Sequence, residues 1–392
     1  MTKGMRVPFY DFAAEYRSIK PEIDSAIARV LDSGIYTDGK EVRAFEEEFA
    51  AYCGTKHAVT VGSGYDALFK ALLAMGVGPG DEVVTVANTD IACTASISHT
   101  GASFVWVDID ERTYTIDPRK IEERITPRTK GIMAVHMYGH PADMAPIMEV
   151  ARRHDLSVLE DAAIAVGARY KGTRVGAIGD VGCFSHVPSK ILGNYGDGGT
   201  IVTDDWEMAQ RIRELSTYSG VPNPLGGGLS AGGRGMSSVF WSTTEGYHGR
   251  IVELSAAVLR VKLRSKLDEW ISRRREIAAT YNQLLGHLDV VLPFESEDVE
   301  HVYRNYTVRA KNRDTVRHKL VERGVGTGIH YAPPLHLQPV YQHLGYHEGS
   351  LPVTEAVSAE LFTLPIYPEL TEEQLHWVAQ ALEESLREIN GS

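Results

Sequence analysis

Six short apolar or β-branched runs, most of them separated by stretches of helical spacing, constrain this chain more than any other feature. They fall at 83–86, 103–107, 132–135, 157–160, 182–185 and 200–203, and residues 144–154 are one of the helical patterns between them. Parallel neighbours require a crossover of a dozen or more residues, which a helix supplies. The pattern therefore predicts an α/β fold, a mostly parallel sheet sandwiched by helices. From residue 253 the pattern changes to a long helical stretch to about 285, a strand over 301–310, a helix over 313–323 and a final amphipathic helix over 372–389. These point to a large domain at 1–252, with an N-terminal arm at 1–25, and a smaller α+β domain at 253–392. The glycine-rich segment 226–235 lies near their junction.

At 392 residues, 43% of them hydrophobic, the chain is long enough to fill two cores. No segment is apolar enough to span a membrane, and residues 1–6 lack the apolar run of a signal peptide. The three cysteines, Cys53, Cys93 and Cys183, are odd in number and far apart, which fits a reducing cytoplasm without disulfides or a metal site. A formal charge of -12 argues against a nucleic-acid partner, while a small anion needs only a few local cations.

Three segments carry chemistry. Lys190 ends an apolar run just before the turn Asn194-Tyr195-Gly196-Asp197-Gly198-Gly199. A lysine held in a closed pocket there becomes a nucleophilic amine near neutral pH, suited to a Schiff base; the ordinary alternative is a solvated surface lysine. Asp161 ends the run 157–160, where ligands of α/β sheets gather, and an acid there can hold a pyridinium nitrogen or cap a turn. At Gly62-Ser63-Gly64-Tyr65 an apolar strand turns into a helix whose first N–H groups can bind phosphate. A phosphate cradle, an acid for a ring nitrogen and a Schiff-base lysine are what pyridoxal 5'-phosphate needs from a protein.

With these come Val7-Pro8-Phe9, Gly78-Pro79-Gly80-Asp81-Glu82-Val83, Glu160-Asp161-Ala162-Ala163, Ser189-Lys190 and Gly328-Ile329-His330-Tyr331. In these motifs, in this order, the chain resembles the DegT/StrS-type sugar aminotransferases, fold-type I pyridoxal phosphate enzymes, over almost its whole length. The resemblance implies an aminotransferase acting on a keto group of a nucleotide-linked deoxysugar, as in antibiotic biosynthesis, with a donor such as glutamate. Lys190 would be catalytic; Ser185 and the Gly64-Tyr65 backbone would hold phosphate; Asp161 would hold the ring nitrogen. His330 and Tyr331 would lie at the substrate mouth. The resemblance further implies a homodimer in which the region between Tyr218 and Tyr247 crosses to the neighbour, placing His248 and Arg250 in the neighbour's pocket.

The chain departs from the family around this pocket. Ile164 stands where the family has a Gln beside the cofactor's phenolic oxygen, and Asp90 where an aromatic stacks on the ring. His186 replaces the aromatic after Phe184-Ser185, Arg304 replaces a small-domain His, and His248 replaces an Asn that reaches phosphate. A second reading therefore keeps the cofactor but alters the reaction to elimination, decarboxylation or oxidation, with Asp90 and His186 as added acid–base groups and Arg304 binding a carboxylate. A third is a non-catalytic relative, against which the retained Lys190 argues.

Overall fold

The computed structural model describes residues 5–217 and 244–390. The glycine-rich segment and most of the expected crossing region lie outside them. Seven strands form one sheet: β1 (His57–Val61), β2 (Glu82–Val86), β3 (Ser103–Val107), β4 (Thr129–Val135), β5 (Ser157–Asp161), β6 (Val181–Ser185) and β7 (Gly199–Thr203), in the spatial order β1-β7-β6-β5-β4-β2-β3. Only β7 runs antiparallel to its neighbours. The sheet is thus mostly parallel, as the alternating pattern predicts. Every residue of β2 and of β7 is buried, which follows from helices covering both faces.

The covering helices are α1 (Phe12–Ser18), α2 (Lys20–Ser33), α3 (Lys40–Cys53), α4 (Gly64–Ala74), α5 (Ile91–His99), α6 (Met144–Arg153) and α7 (Trp206–Thr217). Helix α4 buries Ala67, Leu68, Ala71 and Leu72, a 3–4 residue spacing that presents one apolar stripe to β6 and β7. The loops leaving β1, β2, β5 and β6 at their C-terminal ends carry Ser63-Gly64, Asn88 to Asp90, Asp161 to Ile164 and Ser185 to Lys190. Parallel strands place those ends on one edge of the sheet, so topology collects segments that are far apart in sequence.

The expected helix over 253–285 is two helices, α8 (Glu253–Ser265) and α9 (Leu267–Leu285), parted at Lys266, whose φ of -132° is not helical. Helix α8 packs on α2 and α3. Beyond it, α9, α10 (Arg313–Glu322) and α12 (Glu372–Asn390) surround a strand pair, β8 (Tyr306–Arg309) with β9 (Leu361–Leu364), and α11 (Pro352–Glu360) leads into β9. Their core includes Tyr281, Tyr306 and Phe362 together with Val7 from the N-terminus, whose backbone exchanges hydrogen bonds with Gly324 and Gly326. The strand expected over 301–310 is shortened to 306–309. Tyr303 takes a left-handed φ of 45°, which an extended ladder cannot contain. No helix among the described residues is long and apolar enough to cross a membrane.

Candidate active site

At the start of α4, Ser63 is the N-cap and its hydroxyl accepts from Asp66 N–H at 3.1 Å. A Cβ on Gly64 would sit 2.5 Å from Cβ of Ser185, and one on Gly199 would sit 2.2 Å from the Ser63 carbonyl. Only glycine permits that approach, which brings the first turn of α4 against the Ser185 side chain at the end of β6. Tyr65, next in the turn, hydrogen-bonds His99 Nδ1 at 2.5 Å. An anion between α4 and Ser185 would meet helix-terminal N–H groups, the positive end of a helix dipole and a hydroxyl.

Asp161 is 3% exposed. Its Oδ2 accepts from Cys93 Sγ at 2.7 Å and its Oδ1 from Ala163 N–H at 3.1 Å. Burial pushes its carboxyl above the usual range, while the thiol, that N–H and the charge of Lys190 pull the other way. Cys93 was not singled out from the sequence; its place one helical turn beyond Thr89, whose hydroxyl lies 2.9 Å from the same sulfur, was the available signal.

Lys190 is partly buried on the turn after β6, its N–H bonded to Val187 O at 2.9 Å. Its ammonium is pushed down to about 8, first by desolvation and then by the charge of Arg304, with Asp161 and Asp90 opposing. Arg304 is 4% exposed; its Nη2 donates to Tyr10 Oη at 2.8 Å, and its Nε and Nη1 have no partner among the described residues. The ring of His330 stacks on Phe9 at 5.8 Å, and burial, then Arg304 and Lys190, push it down to about 4. Burial raises the Tyr331 phenol, as do Asp90, Cys93 and Tyr138; Tyr138 Oη donates to His330 O, and Arg304 reaches the same group through Tyr10, which packs on Phe9 at 4.4 Å. Tyr10 and Tyr138 are additions to the residues chosen from sequence.

The structure parts two of the chosen residues from this group. His186 points away from the pocket: it is 1% exposed, with Nε2 2.8 Å from Thr200 Oγ1, Nδ1 3.1 Å from Leu192 O, and its ring edge-on to Phe45 and Phe49. Successive residues at the end of a strand face opposite sides, so Ser185 facing α4 sends His186 under α3. Its ring is pushed down to about 4 by burial and has no access to a substrate. Asp90 is exposed and serves as N-cap of α5, accepting from Ala92 N–H at 2.9 Å, although its charge still reaches Lys190 and His330. Ile164 is partly buried and packs against the sheet core.

Residues 247–250 return along α4. Lys70, fully buried, donates to Asp66 Oδ2 at 2.7 Å and to Gly249 O at 2.8 Å, and the Gly249 α-carbon would lie 3.4 Å from a Cβ on Gly62. His248 is exposed, and Arg250 Nη1 donates to Asp38 Oδ2 at 2.5 Å within the same chain.

The residues present fit pyridoxal 5'-phosphate. A desolvated amine and a buried carboxylate whose charges act on each other stand on loops at one edge of the sheet, and Gly64 leaves a cradle that a Cβ would fill.

Comparison with known proteins gives the same assignment. The sequence pattern of the DegT/DnrJ/EryC1/StrS aminotransferase family matches residues 17–383. The dTDP-3-amino-3,4,6-trideoxy-alpha-D-glucose transaminase of Streptomyces venezuelae is 45% identical over 380 residues, 97% of this chain and 96% of that protein. The X-ray structure of S. venezuelae DesV superposes with a TM-score of 0.89 at 45% identity, covering 97% of this chain and 98% of DesV. That of NtdA from Bacillus subtilis, which holds the cofactor PMP, superposes with a TM-score of 0.85 at 30% identity, covering 97% of this chain and 85% of NtdA. On motif order, fold and site alike, this chain belongs to the DegT/DnrJ/EryC1/StrS aminotransferase family and is a pyridoxal-phosphate-dependent aminotransferase.

Proposed function

We propose that the chain transfers an amino group from an amino acid such as glutamate to the keto carbon of a nucleotide-linked deoxysugar, in the cytoplasm and as a homodimer with shared sites. The observation that carries the reading is that Lys190, the buried acid Asp161 and the glycine-lined start of α4 against Ser185 come together at the ligand edge of the sheet. Similarity to a dTDP-deoxysugar transaminase over nearly the full length supports the substrate class.

The bound cofactor supplies a carbonyl that condenses with amines and a ring that accepts electrons. The protein's part follows from its residues. Lys190 Nζ, neutral above pH about 8, is the nucleophile that holds the cofactor. When not engaged with the cofactor, the same amine would remove the α-proton of the donor and, in the second half of the transfer, deliver a proton to the sugar carbon that receives nitrogen. Asp161 keeps a ring nitrogen cationic, and the Cys93 thiol and Ala163 N–H fix which way its carboxylate points. The start of α4, with Ser63, Gly64, Tyr65 and Ser185, holds a phosphate dianion. His330, Tyr331 and Arg304 line the substrate side, and Phe9 and Tyr10 help keep water from it. We further propose the division of the chain into 1–252, which carries the cofactor, and 253–392, which closes over the substrate.

Borohydride treatment followed by peptide mapping tests the reading. The expected result is a yellow protein that bleaches, with the adduct on Lys190. An adduct on Lys171 or Lys262, or no transfer of nitrogen from glutamate to any dTDP- or UDP-linked keto sugar, would overturn it.

A further inference from the structure

Arg304 is the side chain among the described residues with two buried nitrogens, Nε and Nη1, that have no partner. Of the other buried guanidinium groups, Arg309 is paired with Glu111 and Glu360, and Arg274, whose Nε also has no partner, is held through Nη1 by the carbonyls of Tyr303 and Ile366. No carboxylate pairs with Arg304 among the described residues, and its one hydrogen bond is to the neutral hydroxyl of Tyr10. A buried charge without a counter-ion is strongly unfavourable, and an arginine in that state is poised for an anion that arrives from outside.

We propose that Arg304 recognises the α-carboxylate of the amino donor. The inference rests on the aminotransferase reading and adds a group that the reading leaves open. Nη2 carries two N–H bonds and Tyr10 accepts one of them at 2.8 Å. The other makes a two-pronged face with Nε or with Nη1, whichever side Tyr10 leaves open, and both of those are free. Two parallel N–H donors match the two oxygens of a carboxylate. The Tyr10 ring, 5.0 Å from the guanidinium carbon, holds the plane in place.

Position selects the donor among the anions that visit this site. The α-carboxylate sits one bond from the carbon whose proton Lys190 removes, so its partner must share the pocket with Lys190. Arg304 adjoins that pocket by contact, through Tyr10, which packs on Phe9 at 4.4 Å, and Phe9, which stacks on His330 at 5.8 Å, and its charge bears on Lys190. The diphosphate of a nucleotide sugar is several bonds from a ring keto carbon and lies farther out. The cofactor phosphate has the start of α4. His330, neutral at physiological pH, does not compete for the carboxylate as a second cation.

The recognition also bears on the chemistry. An unpaired Arg304 adds to desolvation in holding protons off Lys190; once a carboxylate neutralises it, Lys190 regains part of its basicity at the moment it must take the α-proton. The keto sugar, in its turn, leaves Arg304 charged and Lys190 a better proton donor.

Arg304→Gln and Arg304→Lys, made in the holoenzyme, test this in two ways. The first measurement is calorimetric binding of glutarate, a dicarboxylate that has no amine to react. Arg304→Gln should weaken it by on the order of 100-fold and Arg304→Lys by less, because a lysine restores charge without the fork. The second compares kcat/KM for glutamate with that for 4-aminobutanoate, an amine without an α-carboxylate. In Arg304→Gln the glutamate value should fall by on the order of 100-fold more than the 4-aminobutanoate value, which feels only the change of charge near Lys190. A misfolded site would lower both together. Parallel loss, unchanged glutarate binding, loss confined to the keto sugar, or release of the cofactor would each overturn the assignment. If the wild-type protein moved no nitrogen from glutamate, the aminotransferase reading would fail instead, and the glutarate measurement would still decide whether Arg304 holds a carboxylate.

Discussion

Lys190 is held in a place that disfavours its charge, and that has two opposite consequences for pH. In the cofactor-free chain its ammonium loses its proton at about 8 instead of 10.5. The rate of cofactor capture should therefore rise about tenfold per pH unit below that value and level off above it. Stopped-flow absorbance between pH 6 and 10 would show this; a rate still climbing at pH 10 would mean an ordinary, solvated lysine. For stability the sign is set by proton counts. Between about 8 and 10.5 the unfolded chain binds the proton and the folded chain does not, so stability rises with pH through that window, and below it the folded state bears the full penalty. Lys190→Met should thus stabilise the apoprotein at pH 7 by about 1–3 kcal/mol and give no gain above pH 11, as read from urea midpoints. Lys190 and Asp161 were legible in the sequence because each follows an apolar run at a point where only a ligand site or a turn makes sense of it. His186 was misread because its neighbour was read without it: with Ser185 turned to the start of α4, the strand's alternation already sends His186 into the core. Arg304 was legible as a departure, but that it meets only the Tyr10 hydroxyl and no carboxylate depends on chain almost 300 residues away, and no local pattern records that.

Elements here begin and end with help from distant chain. Helix α3 starts at Gly39 without a side-chain cap of its own. The carboxylate of Glu253, 2% exposed at the start of α8, accepts from the N–H groups of Gly39, Glu41 and Val42 at 2.7, 2.9 and 3.1 Å. One side chain thus does for α3 what an N-cap residue ordinarily does. Glu253→Ala leaves three buried donors unpaired and should lower stability by about 2–4 kcal/mol, measured by thermal or urea melting. Glu253→Gln, which keeps one acceptor oxygen, should lose about half of that. A loss under about 0.5 kcal/mol for the alanine variant would show that α3 caps itself. Asp90 belongs at this scale as well. Its carboxylate is the cap of α5, so Asp90→Ala should cost about 1 kcal/mol of stability, and Asp90→Asn much less. A cap reached across more than 200 residues leaves no signature in a local window, as does the break at Lys266, where α8 turns from the large sheet toward the second core. The β runs were legible for the opposite reason: strands buried on both faces write their own continuous apolar signal.

For the molecule as a whole the sheet was the most readable part and the assembly the least. Alternating runs determine a parallel sheet through the geometry of crossovers, whereas His248 and Arg250 lie on a strap whose bonds within the chain run to Asp38 and α4. We expect that strap to serve a neighbouring site. Lys190→Ala and Arg250→Ala subunits, each inactive alone, should recover about a quarter of wild-type activity when exchanged into mixed dimers, since one of the two sites in each mixed dimer is then intact. No recovery after verified exchange would confine each site to one chain.

The strap has a mechanical meaning too. Tyr247 N–H bonds the carbonyl of Leu215 at 2.5 Å and Gly249 N–H that of Ser216 at 3.4 Å, while Lys70 clamps Gly249 from below. The chain that leaves α7 therefore comes back to the point of departure, and both stumps are tied to the same helix. Two described segments joined to each other in this way hold their places without leaning on the strands of the sheet. A substitution that loosens Tyr247 or Gly249 should accordingly be felt at the end of α7 and at Lys70 before it reaches the seven strands beneath.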